Sequence, residues 1–214
     1  MVCMFKKMIL ATLASLFTTL GMMLIYKSIQ QPRRLNFKKI EFEENINTSL
    51  PKFQKALTSI KTIDPRSIKQ LPSNLIFLLE RENCRIPILE TSKNLHGWIQ
   101  GHFANKDQLD FAALCLTPDN EMTIKIAWGG DVRPCSVSLG YGVLKKYILP
   151  TGLDDFSFSR ILMKAPPKRL DYFAYHNNIQ RPHEGQDGIE DFILGKGSIV
   201  YYCSNNKWIS LFTR

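Results

Sequence analysis

The densest run of titratable side chains in this chain is His183-Glu184-Gly185-Gln186-Asp187-Gly188-Ile189-Glu190-Asp191. An imidazole oriented by a carboxylate, or two carboxyl groups working as acid and base, is what a hydrolase needs to move protons. His183, Glu184 and Asp187 are therefore the catalytic candidates. Their context gives them little support: the chain holds no G-x-S-x-G and no H-E-x-x-H that would place a nucleophile or a catalytic zinc beside them. The plainer reading is a charged turn that leads into a strand, since loops are where charges collect. Leu139-Gly140-Tyr141-Gly142-Val143-Leu144-Lys145-Lys146 lacks the spacing and terminal Ser or Thr of a phosphate-binding loop, and its first four residues, Leu139-Gly140-Tyr141-Gly142, read as a turn signal.

The elements that position these residues follow from periodicity. Phe53, Leu57 and Ile60 recur at helical spacing after Pro51, and Pro65 ends the run. A second helix is expected from Ser73, read as its N-cap, to Arg81, with Asn83 as a left-handed stop. Beyond Cys84 the vocabulary is that of strands: Trp98–Phe103, Phe111–Leu116, Met122–Trp128, Ser136–Leu139, Phe156–Met163, Ser198–Cys203 and Lys207–Phe212. Pro167–His176 forms one intervening helix, and Ser204-Asn205-Asn206 closes a terminal hairpin. Trp98, Trp128 and Trp208 all fall in strands, where burial is the simple reading; exposed together they would line a glycan or peptide groove.

Met8–Tyr26 carries no charge and follows Lys6-Lys7. As a helix rising ~1.5 Å per residue it spans ~28 Å, close to the ~30 Å of a bilayer's hydrocarbon core. It has no clean Ala-x-Ala site, so it reads as an uncleaved anchor, with secretion after signal cleavage as the alternative. Lys27, Arg33, Arg34, Lys38 and Lys39 follow it and, on charge alone, would keep the body in the cytoplasm. The even set Cys84, Cys115, Cys135 and Cys203, without any C-x-x-C pair, argues instead for an oxidising, extracytoplasmic compartment.

The net charge is +9, yet five of the 28 Lys and Arg lie in residues 1–34, which hold no acid. The remainder carries 23 bases against 19 acids, with no basic stripe interleaved with aromatics, so nucleic acid is not an expected partner.

Gln108-Leu109-Asp110-Phe111 and Ile189-Glu190-Asp191-Phe192 suggest a repeated hairpin unit in which Asp110 and Asp191 each organise the turn before a strand. Gly101-His102-Phe103 followed by Asp110-Phe111-Ala112-Ala113-Leu114 resembles the FG-GAP repeat. More closely, Cys84-Arg85-Ile86-Pro87, Gly101-His102-Phe103, Gln108 to Cys115, Asp187-Gly188-Ile189-Glu190-Asp191 and Lys207-Trp208 resemble an uncharacterised family of exported bacterial proteins, over roughly residues 70–214. That family implies no activity.

The FG-GAP resemblance implies a calcium loop. Ending the loop at Asp110 puts Lys106 among the ligands, a charge of the wrong sign for a hard cation. Ending it at Asp191 leaves Asp187, Glu190 and Asp191 as weak calcium candidates, short of the usual ~6–8 oxygens. No cofactor is expected. Because Cys84 and Cys115 lie in the stretches that carry the family resemblance, their pairing is the expected disulfide. Four cysteines allow three connectivities, and the pairing of Cys135 and Cys203 stays open.

These readings converge on an α+β chain: an N-terminal membrane anchor or signal (residues 1–31), a stalk (32–49) and a domain of short helices followed by a mainly antiparallel sheet (50–214). The expected function is a membrane-anchored, periplasmic, non-catalytic interaction or envelope-associated module. It meets the membrane through Met8–Tyr26 and recognises a protein or glycan partner. An exported hydrolase built on His183–Asp191 and a calcium-dependent binding module are the alternatives.

Overall fold

Pro51 and Pro167 each open a helix at the position where a missing N–H costs nothing and a fixed φ favours the helical turn. The computed structural model describes residues 48, 50–89, 96–151 and 155–213. All belong to the unit Asn47–Arg214; the expected anchor Met8–Tyr26 and nearly all of the stalk lie outside them. Among the described residues no helix is long and apolar enough to cross a membrane.

Helix α1 spans Pro51–Thr58 and sends Phe53 into the interior, where its ring meets Phe156 edge-on at 5.5 Å. Helix α2 spans Ser73–Arg81. Ser73, expected as its N-cap, is the first helical residue instead; Pro72 takes the cap position without a side-chain bond, and in the first turn the Leu75 N–H donates to Asn74 Oδ1 at 2.9 Å. The helix ends where Asn83 turns left-handed at φ 51° and the Cys84 N–H reaches the Leu79 carbonyl at 2.8 Å. Helix α3 spans Pro167–His176 and buries Leu170 and Ala174.

The strands are β1 (Thr62–Ile63), β2 (Ile86–Pro87), β3 (Trp98–Gly101), β4 (Asp110–Leu116), β5 (Glu121–Ala127), β6 (Ser138–Val143), β7 (Ile148–Pro150), β8 (Phe156–Phe158), β9 (Arg160–Ala165), β10 (Gly188–Ile193), β11 (Gly197–Ser204) and β12 (Lys207–Thr213). All the pairings are antiparallel. Two four-stranded sheets, β3-β4-β5-β6 and β9-β10-β11-β12, carry the architecture, with the pairs β1-β2 and β7-β8 beside them. The fold class is α+β, with a mainly antiparallel β content.

Two expected elements differ. Phe156–Met163 is not one strand but two, because the Ser159 N–H and hydroxyl both turn onto the Tyr147 carbonyl, at 2.9 and 2.8 Å. Leu139–Gly142 is not a turn but part of β6. Its register slips against β5 between Met122 and Ile124, and Gly140 takes φ 67° there, so the glycine marks a bulge.

One core lies under α2, where Leu75 and Leu79 meet Ile86, Ala113, Cys115 and Ala127. A second lies under α3, where Leu170 meets Ala165, Val200, Tyr202 and Leu211. The Leu162 N–H donates to the His96 carbonyl at 2.8 Å, joining the edge of the second sheet to the segment that enters β3.

Two disulfides cross these layers. Cys84–Cys115 has its Cα atoms 5.0 Å apart and ties the end of α2 to β4. Cys135–Cys203, at 6.0 Å, ties the β5–β6 loop to β11 in the other sheet. In the chain-entropy account, closing loops with separations of 31 and 68 residues gives each bond about 4 kcal/mol before native strain. Cys135→Ser/Cys203→Ser is expected to lower stability in urea denaturation by about 2–4 kcal/mol while preserving the far-ultraviolet dichroism; an unchanged midpoint would show that the bond does not constrain the chain.

Candidate functional site

The acid-rich run begins with Gln186, a fully buried amide whose groups are all engaged. Its Nε2 donates to the carbonyls of Phe103 (2.7 Å) and Cys203 (2.9 Å), and its Oε1 accepts the His183 N–H at 2.9 Å. Asp187 is buried beside it. The Asp187 carboxylate accepts the His102 N–H at 3.0 Å, the Asp187 N–H returns to the His102 carbonyl at 3.0 Å, and Lys164 Nζ lies 3.6 Å away.

The first sheet holds a counterpart. Gln108 donates to Asp110 Oδ1 at 2.6 Å and to the Val132 carbonyl at 2.8 Å, and accepts the Val132 N–H. Asp110, fully buried at the start of β4, also accepts the N–H groups of Ala104 (2.8 Å) and Gly129 (2.9 Å). Gly129 approaches so closely that a Cβ there would lie 1.8 Å from the Leu109 carbonyl oxygen.

Each sheet therefore has a glutamine and an aspartate that pin a loop to the start of a strand. The structural match of Asp110 is Asp187, not Asp191. Asp191 sits in the middle of β10, so its expected role at a turn is corrected to one inside the sheet.

There it meets Arg160, 1% exposed, whose Nε and Nη2 each donate to one carboxylate oxygen at 2.8 Å. Arg160 Nη2 also donates to the Gly140 carbonyl at 2.8 Å, and its guanidinium lies 4.4 Å from the centre of the Tyr147 ring. Desolvation pulls the Arg160 pKa down, but Asp191 and its hydrogen bonds outweigh that and hold it raised. Burial raises the pKa of Tyr147 and, with the nearby Asp191, that of Tyr201. Burial pushes Tyr202, whose hydroxyl donates to the Gln180 carbonyl, up to about 12.

The catalytic candidates are not assembled. His183 and Glu184 are exposed, and Asp187 faces a backbone amide and Lys164 rather than an imidazole. The calcium candidates each answer a different cation: Asp187 has Lys164, Glu190 has Arg169 at 2.7 Å, and Asp191 has Arg160. As neighbours in one strand, Glu190 and Asp191 also point to opposite faces. Among the described residues, the one cluster with metal-ligand spacing is Glu82 with Cys84 and Cys115, whose sulfurs are joined to each other.

Among the described residues, a groove of about 560 Å³ opens between the start of α2, the end of β5 and the β5–β6 loop. Phe77, 64% exposed, forms one wall and Val137 and Arg133 another, above Ile126 and Trp128. Asn74 fixes the helix to the strand, its Nδ2 donating to the Trp128 carbonyl at 3.1 Å. Buried Lys125, paired with Glu82 at 2.6 Å, holds the other end of α2. Trp128 stacks on Trp208 with ring centres 5.9 Å apart, and the Trp208 indole N–H donates to the Ser136 carbonyl at 3.0 Å. Of the three tryptophans, two come together; Trp98 packs against the core under α2.

Sequence reasoning missed the roles of Arg160, of the two glutamines and of Phe77. Arg160 had left a signal, a lone charge inside the apolar run Phe156–Met163. No protein-family model, curated protein or solved structure matches this chain.

Arg160→Met or Asp191→Leu alone strands a buried charge and is expected to cost about 3–5 kcal/mol by urea denaturation, with the double variant costing clearly less than the sum. Strict additivity would show that the pair is not coupled. The tyrosines set an alkaline limit. In the unfolded chain a phenol titrates near ~10, whereas burial favours the neutral form in the fold, so this stability is whole below pH ~10 and drains as pH rises toward about 12. Tyr202→Phe is expected to flatten that decline in urea midpoints measured between pH 9 and 12; a slope equal to that of the wild type would remove Tyr202 from the account.

Proposed function

We propose that this chain is a non-catalytic interaction module, held on the periplasmic side of a cell membrane by Met8–Tyr26, that recognises a protein partner. The observation that carries the reading is the groove beside α2. Phe77 and Val137 stand exposed around it, while the carboxylates of the acid-rich run from Asp187 onward are engaged inside the fold. An apolar cleft with a few polar groups is the common form of a binding site. The two disulfides support delivery to an oxidising compartment, where such bonds form and persist. The resemblance to exported bacterial proteins points the same way and brings no enzymatic activity with it.

Two measurements test this reading. A reporter that matures only in an oxidising compartment, fused after Arg214, is expected to be active; a cytoplasmic reporter active at that junction would place the domain inside the cell. His183→Ala and Glu184→Ala, both at exposed positions, are expected to change stability by less than about 0.5 kcal/mol and to leave no hydrolytic activity to lose. A hydrolytic activity abolished by His183→Ala at an unchanged Tm would make the chain an enzyme.

A further inference from the structure

The Cys84–Cys115 bond lies among polar groups that a structural disulfide does not need. Glu82 ends α2 two residues before Cys84, and Asn83 between them takes the left-handed φ of 51°. A carboxylate oxygen of Glu82 and the sulfurs of Cys84 and Cys115 all lie within 4.8 Å of one another. Both cysteines are buried, while Glu82 is half-buried and reaches solvent. Two polar residues of β5 stand on the same face. The Lys125 side chain is 4% exposed, and its Nζ meets Glu82 Oε2 at 2.6 Å. Thr123 pairs directly with Cys115 in the β4–β5 register, which puts the two Cβ atoms on one face at about 5 Å. The Thr123 hydroxyl is buried and has no hydrogen-bond partner, an unused donor beside a sulfur that accepts only weakly.

We propose that Glu82, Cys84 and Cys115 form a site for one thiophilic divalent cation of the zinc class in the dithiol form of the chain, the form that precedes oxidation. Thiolates bind zinc at ~2.3 Å and carboxylates at ~2.0–2.2 Å, so two ligands of a tetrahedral ion stand about 3.3–3.8 Å apart. A cluster whose ligand atoms all lie within 4.8 Å encloses that spacing once the S–S bond is open. Binding replaces the two thiol protons by the ion. Two thiolates and one carboxylate leave the filled site with one net negative charge, which the Lys125 ammonium on Glu82 Oε2 neutralises. Glu82 Oε1 meets the exposed Arg81 at 3.8 Å, a loose contact that a metal–oxygen bond replaces. The Thr123 hydroxyl then donates to the Cys115 thiolate, as groups around a metal's ligands commonly do, and water takes the fourth position. Oxidation by a protein disulfide forms the S–S bond of this structure: the oxidant gains two electrons and two protons and leaves as two thiols, and the ion departs. The ion and the disulfide thus hold the same end of α2 on the same strand, one before oxidation and one after. The site lies at the opposite end of α2 from the groove and does not rest on the interaction-module reading.

The test uses the full-length chain in detergent, reduced by a water-soluble phosphine, which takes up the oxygen of water as it opens each S–S bond and brings no thiol ligand of its own. Zinc is measured by competition with a chromophoric chelator, and cobalt(II) in its place reports the ligands through a sulfur-to-metal charge-transfer band. The reduced chain is expected to hold one zinc more than the oxidised chain. Cys84→Ser/Cys115→Ser is expected to abolish that difference and the band, and Cys135→Ser/Cys203→Ser to keep both. Glu82→Gln and Thr123→Val are each expected to weaken binding about tenfold or more at unchanged far-ultraviolet dichroism. Equal zinc content in the reduced and oxidised chains overturns the proposal, as does a band that survives Cys84→Ser/Cys115→Ser or follows Cys135 and Cys203 instead. An affinity that either Glu82→Gln or Thr123→Val leaves unchanged overturns it as well. A reduced chain that unfolds and that zinc does not refold has the same consequence, because the ion would then fail to hold α2 on β4.

Discussion

Arg160 is the residue on which the arrangement of the two sheets turns. Its guanidinium leaves water entirely, a transfer that costs several kcal/mol unless the charge is answered in place. The answer comes from both sheets: Asp191 of β10 takes two donors side by side, and the Gly140 carbonyl of β6 takes a further bond from Nη2. The Tyr147 ring lies over the same group. An apolar contact at this point would tolerate sliding of one sheet over the other. A planar fork that must meet one carboxylate and one carbonyl at 2.8 Å does not. The bulge at Gly140 belongs to the same constraint, since a Cβ there would lie 2.8 Å from Arg160 Nη2.

Around that pair, the two glutamine–aspartate pins solve a common problem. A loop entering a buried strand brings backbone amides into the interior, and each needs a partner. Asp110 and Gln108 satisfy the amides of Ala104, Gly129 and Val132, while Asp187 and Gln186 satisfy those of His102 and His183. Gln186 also reaches across to Phe103, binding the loop before β10 to the loop after β3. Groups that look reactive in the sequence are thereby removed from chemistry: Asp187 shares a loop with His183 but serves the backbone of His102.

The helices were legible because their signals are local. Pro167 and the left-handed Asn83 mark ends that the fold keeps, and α2 and α3 occupy Ser73–Arg81 and Pro167–His176 as their periodicity implies. The hairpin between β11 and β12 was legible for the same reason: Asn205 and Asn206 both take positive φ. The repeat was half legible. Asp-Phe recurs at Asp110 and Asp191, but what recurs in space is a glutamine with an aspartate at the start of a strand, and the spacing differs, since Leu109 separates Gln108 from Asp110 whereas Gln186 and Asp187 are adjacent. The partner of Arg160 lies 31 residues away and the partner of Gln186 lies 83 away. No periodicity carries information over such separations. The groove was hidden for a further reason, since Phe77 reads as one more apolar residue of α2 until the helix is seen to turn it outward.

The groove and the inter-sheet clamp are mechanically one feature. Its outer wall is the β5–β6 loop, which carries Arg133 and Val137 and has few apolar residues to bury. A loop of that kind would ordinarily move freely. Here it is held at four points: Val132 by Gln108, Cys135 by Cys203, the Ser136 carbonyl by the Trp208 indole, and Trp128 at its base by stacking on Trp208. Three of the four anchors belong to β11 and β12, so the position of the Arg133 wall depends on how the second sheet sits against the first. That dependence leads back to Arg160. A guanidinium buried between the sheets fixes their register, and the sheets in turn hold the wall, so the groove keeps its width without contributing to the core. Rigid walls reduce the entropy lost when a ligand binds. The fold thus places its buried charge and its second disulfide where they stiffen a surface that has no hydrophobic reason to be stiff.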